Sequence, residues 1–289
     1  MFYWNQQGLN RSAPGKGKNM KKSFVVSVDS RANSDKDAWL RNIDYLASVG
    51  FDGVELALRN PENIDLSVLR RELKKSNISL PAIGTGLAYL EDGLSLSAKD
   101  LGIRKKAVAR VKKHIEFANE FGSQVIIGLI RGKEKSESTS SKRDGIKCLL
   151  DSMEELCVFA EKTKAGLLLE PINRYETSYL ANVDECRKFI DLLYNKKVNL
   201  MFDTFHANIE EENLIDALRK CGRLLKHVHF ADSNRLCPGR GHIDFVSVIK
   251  SLKKSGYKHF ISGEFSFSPD FKSTSSEFSR YLRRLFTNA

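Results

Sequence analysis

Cysteine is scarce in this sequence. The five present, Cys148, Cys157, Cys186, Cys221 and Cys237, are odd in number and never form a CxxC pair. Neither a disulfide framework nor a structural zinc site is therefore expected, and a reducing cytoplasm is the compartment they fit. Long apolar runs are absent too, none approaching the roughly 20 residues that cross a bilayer, which argues against a membrane role. Met1-Phe2-Tyr3-Trp4 gives way at once to Asn5 and other polar residues. The apolar stretch of a signal peptide is thus missing, and secretion is not indicated. Nucleotide signatures are lacking as well. Gly84-Thr85-Gly86-Leu87-Ala88-Tyr89 carries Tyr where a dinucleotide fingerprint needs its third glycine, and neither a P-loop pattern nor HExxH occurs.

Charge is plentiful, and its distribution matters more than its sum. The net charge of +11 invites a nucleic-acid partner, but Arg11, Lys16, Lys18, Lys21 and Lys22 supply five of those charges with no acid among the first 22 residues. Clusters such as Arg104-Lys105-Lys106, Lys112-Lys113 and Lys253-Lys254 fall on expected helices, where a solvated face accounts for them. No nucleic-acid partner is expected. Residues 1–22, with Pro14, Gly15 and Gly17, read as a basic extension ahead of a folded domain over 23–289, with Met20 a candidate natural start. At 41% hydrophobic and 29% charged, the rest has the composition of one globular domain.

Eight apolar runs alternate with amphipathic segments of helical spacing. Strands are expected over 23–28, 53–57, 79–84, 124–128, 165–170, 198–203, 225–230 and 258–264. Strict alternation of β and α implies a parallel sheet. Polar residues recur at the run ends from the second unit to the last: Glu55, Glu170, Asp203, His229 and Glu264. An open sheet would gather such residues at one switch point, so their spread favours an α/β fold closed as a single-domain (β/α)8 TIM barrel. Gly84 and Gly86 are expected to shape the turn leaving the third strand. Two longer loops, 85–97 and 130–141, should lie over the mouth; Lys133 to Ser141 has the polar, Ser-rich composition of a mobile lid or a solvated loop.

A charge at the end of a buried strand is costly unless a metal, a partner charge or a substrate compensates it. Two glutamates, an aspartate and a histidine form a hard, oxygen-rich set suited to Mn²⁺, Mg²⁺ or Co²⁺ rather than to structural zinc. Such an ion would polarise a carbonyl, so that a neighbouring carbon yields its proton to a carboxylate. A free glutamate, with a pKa near ~4.3, is too weak a base to do this unaided.

Three stretches then combine. They are Leu169-Glu170-Pro171-Ile172-Asn173-Arg174-Tyr175-Glu176, Asp203-Thr204-Phe205-His206, and His229 followed by Asn234-Arg235-Leu236-Cys237-Pro238-Gly239, with Glu264 beyond. Together they resemble the ketose 3-epimerases of the D-tagatose and D-psicose (allulose) type, which are xylose-isomerase-like TIM barrels. The resemblance is strongest over 165–264, while Gly53 to Leu58 and the segment 84–95 are similar to the wider group of sugar isomerases and epimerases. It implies an isomerase in which Glu170, Asp203, His229 and Glu264 hold one divalent ion, Mn²⁺ first among the candidates. It also implies that Glu170 and Glu264 exchange the C3 proton on opposite faces of the sugar through a cis-enediolate. Glu176, His206 and Arg235 would hold O1 to O3 of a free ketohexose or related ketose, and the implied assembly is a homodimer or homotetramer.

Structural roles compete with each assignment. A strand-end glutamate could pair with a nearby Lys or Arg, although four ligand-type residues on four successive strands argue against that. Glu176 and Arg235 could be solvated loop residues, and His206 could cap a helix or lie on the surface. His227, two residues before His229, is expected as an inner-layer residue beneath it. Glu55, Asp232 and His242 are candidates for support or for purely structural roles, and Asp29 is a weaker one. Rival functions are a hydroxypyruvate isomerase, an inositol-catabolism enzyme or a sugar-phosphate epimerase; for the last, no glycine-rich phosphate cradle is found. A binding protein without turnover is disfavoured because both acid/base carboxylates are present. More distant is an AP-endonuclease-like DNA repair enzyme, which needs extra histidines for three zinc ions; here only His114 precedes His206. Selectivity is expected in the loops near 29–34, 85–97, 130–141 and 266–270.

Overall fold

The computed structural model describes residues 20–28, 31, 38–134 and 138–288. Asp29, residues 1–19 of the expected extension, most of the 29–34 loop and part of the 130–141 loop lie outside the described residues. Eight parallel strands close in chain order into a barrel: β1 (Lys21–Val28), β2 (Gly53–Leu58), β3 (Ala82–Gly84), β4 (Gln124–Ile127), β5 (Gly166–Leu169), β6 (Val198–Asp203), β7 (Leu225–Phe230) and β8 (Phe260–Gly263). Helices stand between successive strands, so the expected TIM barrel is the observed fold.

The differences in detail have local causes. β1 begins at Lys21, which pairs with Phe260 while Lys22 pairs with Ile261. Both lysines, expected in the basic extension, therefore belong to the barrel wall. β3 starts at Ala82 rather than 79, because Ser79 makes only an isolated bridge to Gly53 and Pro81 has no N–H for a ladder. Glu170 and Glu264 lie one residue beyond β5 and β8. Part of the expected 85–97 loop is a short helix, Gly86–Asp92, ended by Gly93 at φ 66.

Helices pack by amphipathic stripes. Leu66–Ser76 buries Leu69 and Leu73, one turn apart; Asp65 caps its start by accepting from the Ser67 and Val68 amides, and Asn77 at φ 50 ends it. Each such leucine contributes roughly 1.5–3 kcal/mol by leaving water. Inside the barrel the two halves differ. Ala82, Ile126, Leu168 and Met201 form a small apolar cluster apart from the main core, each two residues before a mouth position and so on the same strand face. Ser23, Glu55, His227 and Ser262 are buried and polar instead. No helix among the described residues is long and apolar enough to cross a membrane.

Candidate metal centre and active site

Asp203 ends β6 and does two things at once. Its Oδ1 accepts the Phe205 amide at 2.7 Å, capping the helix Thr204–Glu210, which leaves Oδ2 for the barrel mouth. Thr204 Oγ1 donates to the Ala231 carbonyl at 2.7 Å and accepts the Ala231 amide at 3.0 Å, fastening the ends of β6 and β7 together. The register sets Asp203 beside His229. Glu170 finds room because Gly128 lies next to it; a Cβ at Gly128 would stand 2.3 Å from Glu170 Oε2. Glu170, Asp203, His229 and Glu264 thereby present ligand atoms that all lie within 4.8 Å of one another.

The electrostatics of this cluster fit a cation. His229 Nδ1 faces Glu264 Oε2 at 3.3 Å and Asp203 Oδ2 at 4.0 Å, is buried, and has no hydrogen-bond partner. A lone buried imidazole nitrogen aimed into acids is the disposition of a ligand atom. Burial, with the charges of Glu264 and Asp203 adding, pushes the Glu170 carboxyl up to about 8 against the pull of His229 and Arg131. Burial also works to raise Glu264, but His229 and Arg235 outweigh it and hold that carboxyl well below the usual range. Like charges this close cannot all ionise cheaply, and a divalent ion held by three carboxylates and one imidazole would relieve them.

A second buried group of ligand type lies below the first. His227 Nε2 meets Glu55 Oε2 at 2.7 Å, and His229 Nε2 sits 3.0 Å from both Glu55 oxygens. Burial pushes the Glu55 carboxyl up, yet the two histidines overcome it and leave a value of about 2. His227 occupies the inner layer expected of it.

Arg235, His206 and Glu176 gather at the same mouth. Arg235 donates from Nη1 to Asp203 Oδ2 at 3.0 Å and from Nη2 to Glu264 Oε2 at 2.6 Å, and its guanidinium lies 4.7 Å from the Phe205 ring centroid. Its backbone is left-handed, φ 59, uncommon for a side-chain-bearing residue. Asp232 holds that turn, its carboxylate accepting the amides of Ser233, Gly239 and Ile243 at 2.8, 2.7 and 3.2 Å. His206 is buried, with Nε2 at 3.8 Å from Asp203 Oδ2 and 4.0 Å from Glu170 Oε1. Asn173 Nδ2 donates to His206 Nδ1 at 2.7 Å and to Glu176 Oε1 at 2.9 Å. An amide nitrogen only donates, so the His206 proton sits on Nε2, toward the acids. Burial depresses the His206 pKa despite Asp203, keeping the ring neutral. Glu176, 39% exposed, stands at the rim.

Sequence reasoning gave no role to Asn173, Phe205 or Arg131, although the first two sit inside the quoted stretches. Arg131 is fully buried, donates to the Gly128 and Leu180 carbonyls, and pulls on the Glu170 carboxyl. His242 and Ser233 Oγ lie 2.9 Å apart in the exposed part of the Asp232 loop. His114 bonds the Leu58 and Arg110 carbonyls, which makes it a packing residue. The cavity at the mouth, about 150 Å³, is lined by Glu170, Glu176, His206, His229, Arg235 and Glu264 and by Leu87, Leu90, Leu129 and Ile172.

The sequence profile of the xylose isomerase-like TIM barrel family matches residues 43–283, a span that includes the whole cluster. The chain belongs to this family. Among xylose isomerase-like proteins, L-ribulose 3-epimerase of Mesorhizobium japonicum is 27% identical over 248 residues, 86% of this chain and 80% of that one. The 3-dehydro-D-guloside 4-epimerase of Escherichia coli is 27% identical over 232 residues, 77% and 85% of the two chains. In fold, the chain resembles crystalline D-allulose 3-epimerase from Methylomonas sp. in complex with D-allulose, with a TM-score of 0.78 at 24% identity, covering 93% of this chain and 98% of that one. These family members are named as epimerases of sugars, and they differ in the carbon inverted.

Proposed function

We propose that this xylose isomerase-like barrel is a metal-dependent ketose 3-epimerase acting on a free ketohexose or a related ketose. The observation that carries the reading is the meeting of Glu170, Asp203, His229 and Glu264 in one cluster, beside a cavity that Glu170, His229 and Glu264 line together with Glu176, His206 and Arg235. Glu170, Asp203, His229 and Glu264 would hold one divalent ion, Mn²⁺ first and Mg²⁺ or Co²⁺ as alternatives. When bound, the ion supplies Lewis-acid polarisation of the sugar carbonyl, which acidifies the neighbouring C–H.

The protein's own groups carry the rest. The Nε2–H of His206 and the N–H donors of Arg235 not engaged by Asp203 and Glu264 donate to oxygens at the carbonyl end, and Glu176 accepts from a hydroxyl. One of Glu170 and Glu264 takes the C3 proton, giving a cis-enediolate, and the other returns a proton to the opposite face, which inverts the centre. A cytoplasmic homodimer or homotetramer, with no membrane or nucleic-acid partner, completes the proposal.

Incubating Mn²⁺-loaded protein in D₂O with a panel of ketoses, 3-keto sugars and ketose phosphates, and locating deuterium by NMR, tests it. Label at C3 with a new epimer is expected. Label at C4 of a 3-keto sugar would move the assignment to a 4-epimerase, and label at C1 or C2 with an aldose product to an aldose-ketose isomerase. Absence of exchange with every sugar, or efficient cleavage of abasic DNA, would overturn the reading. Glu264→Gln should abolish exchange; retained turnover would remove Glu264 from proton transfer.

A further inference from the structure

His229 is held from behind by a residue on the far side of the barrel. β2 and β7 are not neighbours in the sheet, since β1 and β8 lie between them. Glu55 on β2 nevertheless reaches across the interior to both histidines of β7. His229 therefore has its two ring nitrogens in different company. Nε2 lies 3.0 Å from the Glu55 oxygens, and Nδ1 faces Asp203 and Glu264 with no hydrogen-bond partner.

We propose that Glu55, steadied by His227, is a positioning residue that keeps a proton on His229 Nε2 and turns Nδ1 toward the Glu170–Asp203–Glu264 cluster. This rests on the metal-site reading above and adds to it the group that orients the imidazole. An ionised carboxylate only accepts, so contact with Glu55 demands a proton on Nε2 and leaves Nδ1 as the nitrogen that an ion can take. A carboxylate behind a ligand imidazole also raises the basicity of the ligating nitrogen. His227 has the complementary task of donating to Glu55 Oε2 at 2.7 Å, which leaves one carboxylate shared by two rings.

The competing view is that Glu55, His227 and His229 are themselves a second cation site. The distances oppose it. Ligand atoms about 2.0–2.2 Å from a tetrahedral ion stand more than about 3.2 Å from one another. The 2.7 Å and 3.0 Å separations here are those of hydrogen bonds. The pair also gives Glu55 what a buried carboxylate needs, two donors and no solvent.

Two measurements on the full chain test this. In chelator-treated, ¹⁵N-histidine-labelled wild type, brought to a pH at which the His229 ring is neutral, long-range ¹H–¹⁵N correlation should report the Nε2–H tautomer. In Mn²⁺ titrations followed by electron paramagnetic resonance, Glu55→Gln should bind about 10- to 100-fold more weakly than wild type. Excess Mn²⁺ should then restore its turnover, a rescue that a general loss of packing would not give. Should Glu55→Gln fail to fold, the tautomer and the weaker Mn²⁺ binding of His227→Gln decide instead. An Nδ1–H tautomer in wild type, wild-type Mn²⁺ affinity in folded Glu55→Gln, or a second Mn²⁺ equivalent lost with Glu55 would each overturn the positioning role. Wild type that binds no Mn²⁺ would overturn the metal-site reading instead, while the tautomer still decides the Glu55–His229 contact.

Discussion

Arg235 and a divalent ion would compete for the same oxygens. The guanidinium grips Asp203 Oδ2 at 3.0 Å and Glu264 Oε2 at 2.6 Å, and both acids belong to the ligand cluster. In protein stripped of metal, Arg235 thus shares with His229 the neutralisation of Asp203 and Glu264, and Arg235→Ala leaves His229 alone to do it. Breaking a buried charge pair costs about 3–5 kcal/mol, and a single charge-assisted hydrogen bond about 1.5–3 kcal/mol. The Arg235 and Glu264 side chains are 28% and 34% exposed. That exposure moves the expectation to roughly 2–3 kcal/mol. For a chain of this size each kcal/mol shifts melting by about 2–4 °C, so stripped Arg235→Ala should melt about 4–12 °C below stripped wild type. Saturating Mn²⁺ should shrink the gap to less than half, because the ion takes over the neutralisation. Without sugar, the variant should also bind Mn²⁺ more tightly than wild type, even as turnover falls. Scanning calorimetry of both proteins in chelator and in Mn²⁺, with Mn²⁺ titrations alongside, reads each quantity. An equal melting gap under both conditions, or weaker Mn²⁺ binding by the variant, would refute the competition.

Gly128→Ala brings a methyl 2.3 Å from Glu170 Oε2, the free end of a flexible side chain. Melting should therefore hardly change while C3 exchange falls by about 10²-fold, the usual consequence of misplacing a reacting group by about 1 Å; unimpaired exchange would show that the carboxylate position is not critical. In stripped protein Glu170 titrates near 8, above its unfolded value. Its contribution is then fully present below about pH 4.3 and is lost as pH rises toward 8. Stripped Glu170→Gln should flatten that decline in a melting-versus-pH series, and an unchanged slope would contradict the assignment. Asp232→Asn, with its oxygen kept toward the Ser233 and Ile243 amides, turns an amide NH₂ toward the Gly239 amide that Oδ2 now accepts, and should cost about 1–3 kcal/mol. By loosening the turn that carries Arg235 it should also raise KM for the sugar; stability lost at constant KM would separate the loop from substrate binding.

The barrel was legible because each unit repeats one pattern, and β6 and β7 fall on their expected bounds. Errors arose where tertiary neighbours decide. Lys21 and Lys22 look like tail residues by composition, yet their ammonium groups lie over the Phe260 and Phe51 rings at 5.3 and 5.8 Å, with stems along the wall. Helix Gly86–Asp92 has a glycine start and little local signal; Asp92 at its end is held by Arg59 and Arg110 instead. Strand-end acids announce themselves because each interrupts an apolar run. The Asn173 bridge and the Glu55–His227 pair do not, since their partners lie 33 and 172 residues away.

The two halves of the barrel interior bear directly on the proposed acid/base pair. Glu170 stands two residues beyond Leu168, over the apolar half, and its carboxyl is pushed up. Glu264 stands two residues beyond Ser262, over the polar half, with His229 and Arg235 beside it, and its carboxyl is held down despite burial. A barrel selected for stability alone would fill both halves with branched apolar side chains. Here the Ser23 and Ser262 hydroxyls are buried with no partner among the described residues, at about 1–3 kcal/mol each. The polar half is thus a cost to stability set directly beneath one of the two carboxylates. Beside His229 and Arg235 Glu264 keeps its charge, while Glu170, with Glu264 and Asp203 for neighbours, resists ionising, so two chemically identical groups have opposite tendencies to hold a proton, the arrangement that an acid and a base working on opposite faces of one carbon require. A bound cation would lower both carboxyls, but the apolar layer beneath Glu170 and the polar layer beneath Glu264 would stay as they are. That contrast, more than either value alone, supports assigning proton transfer to Glu170 and Glu264.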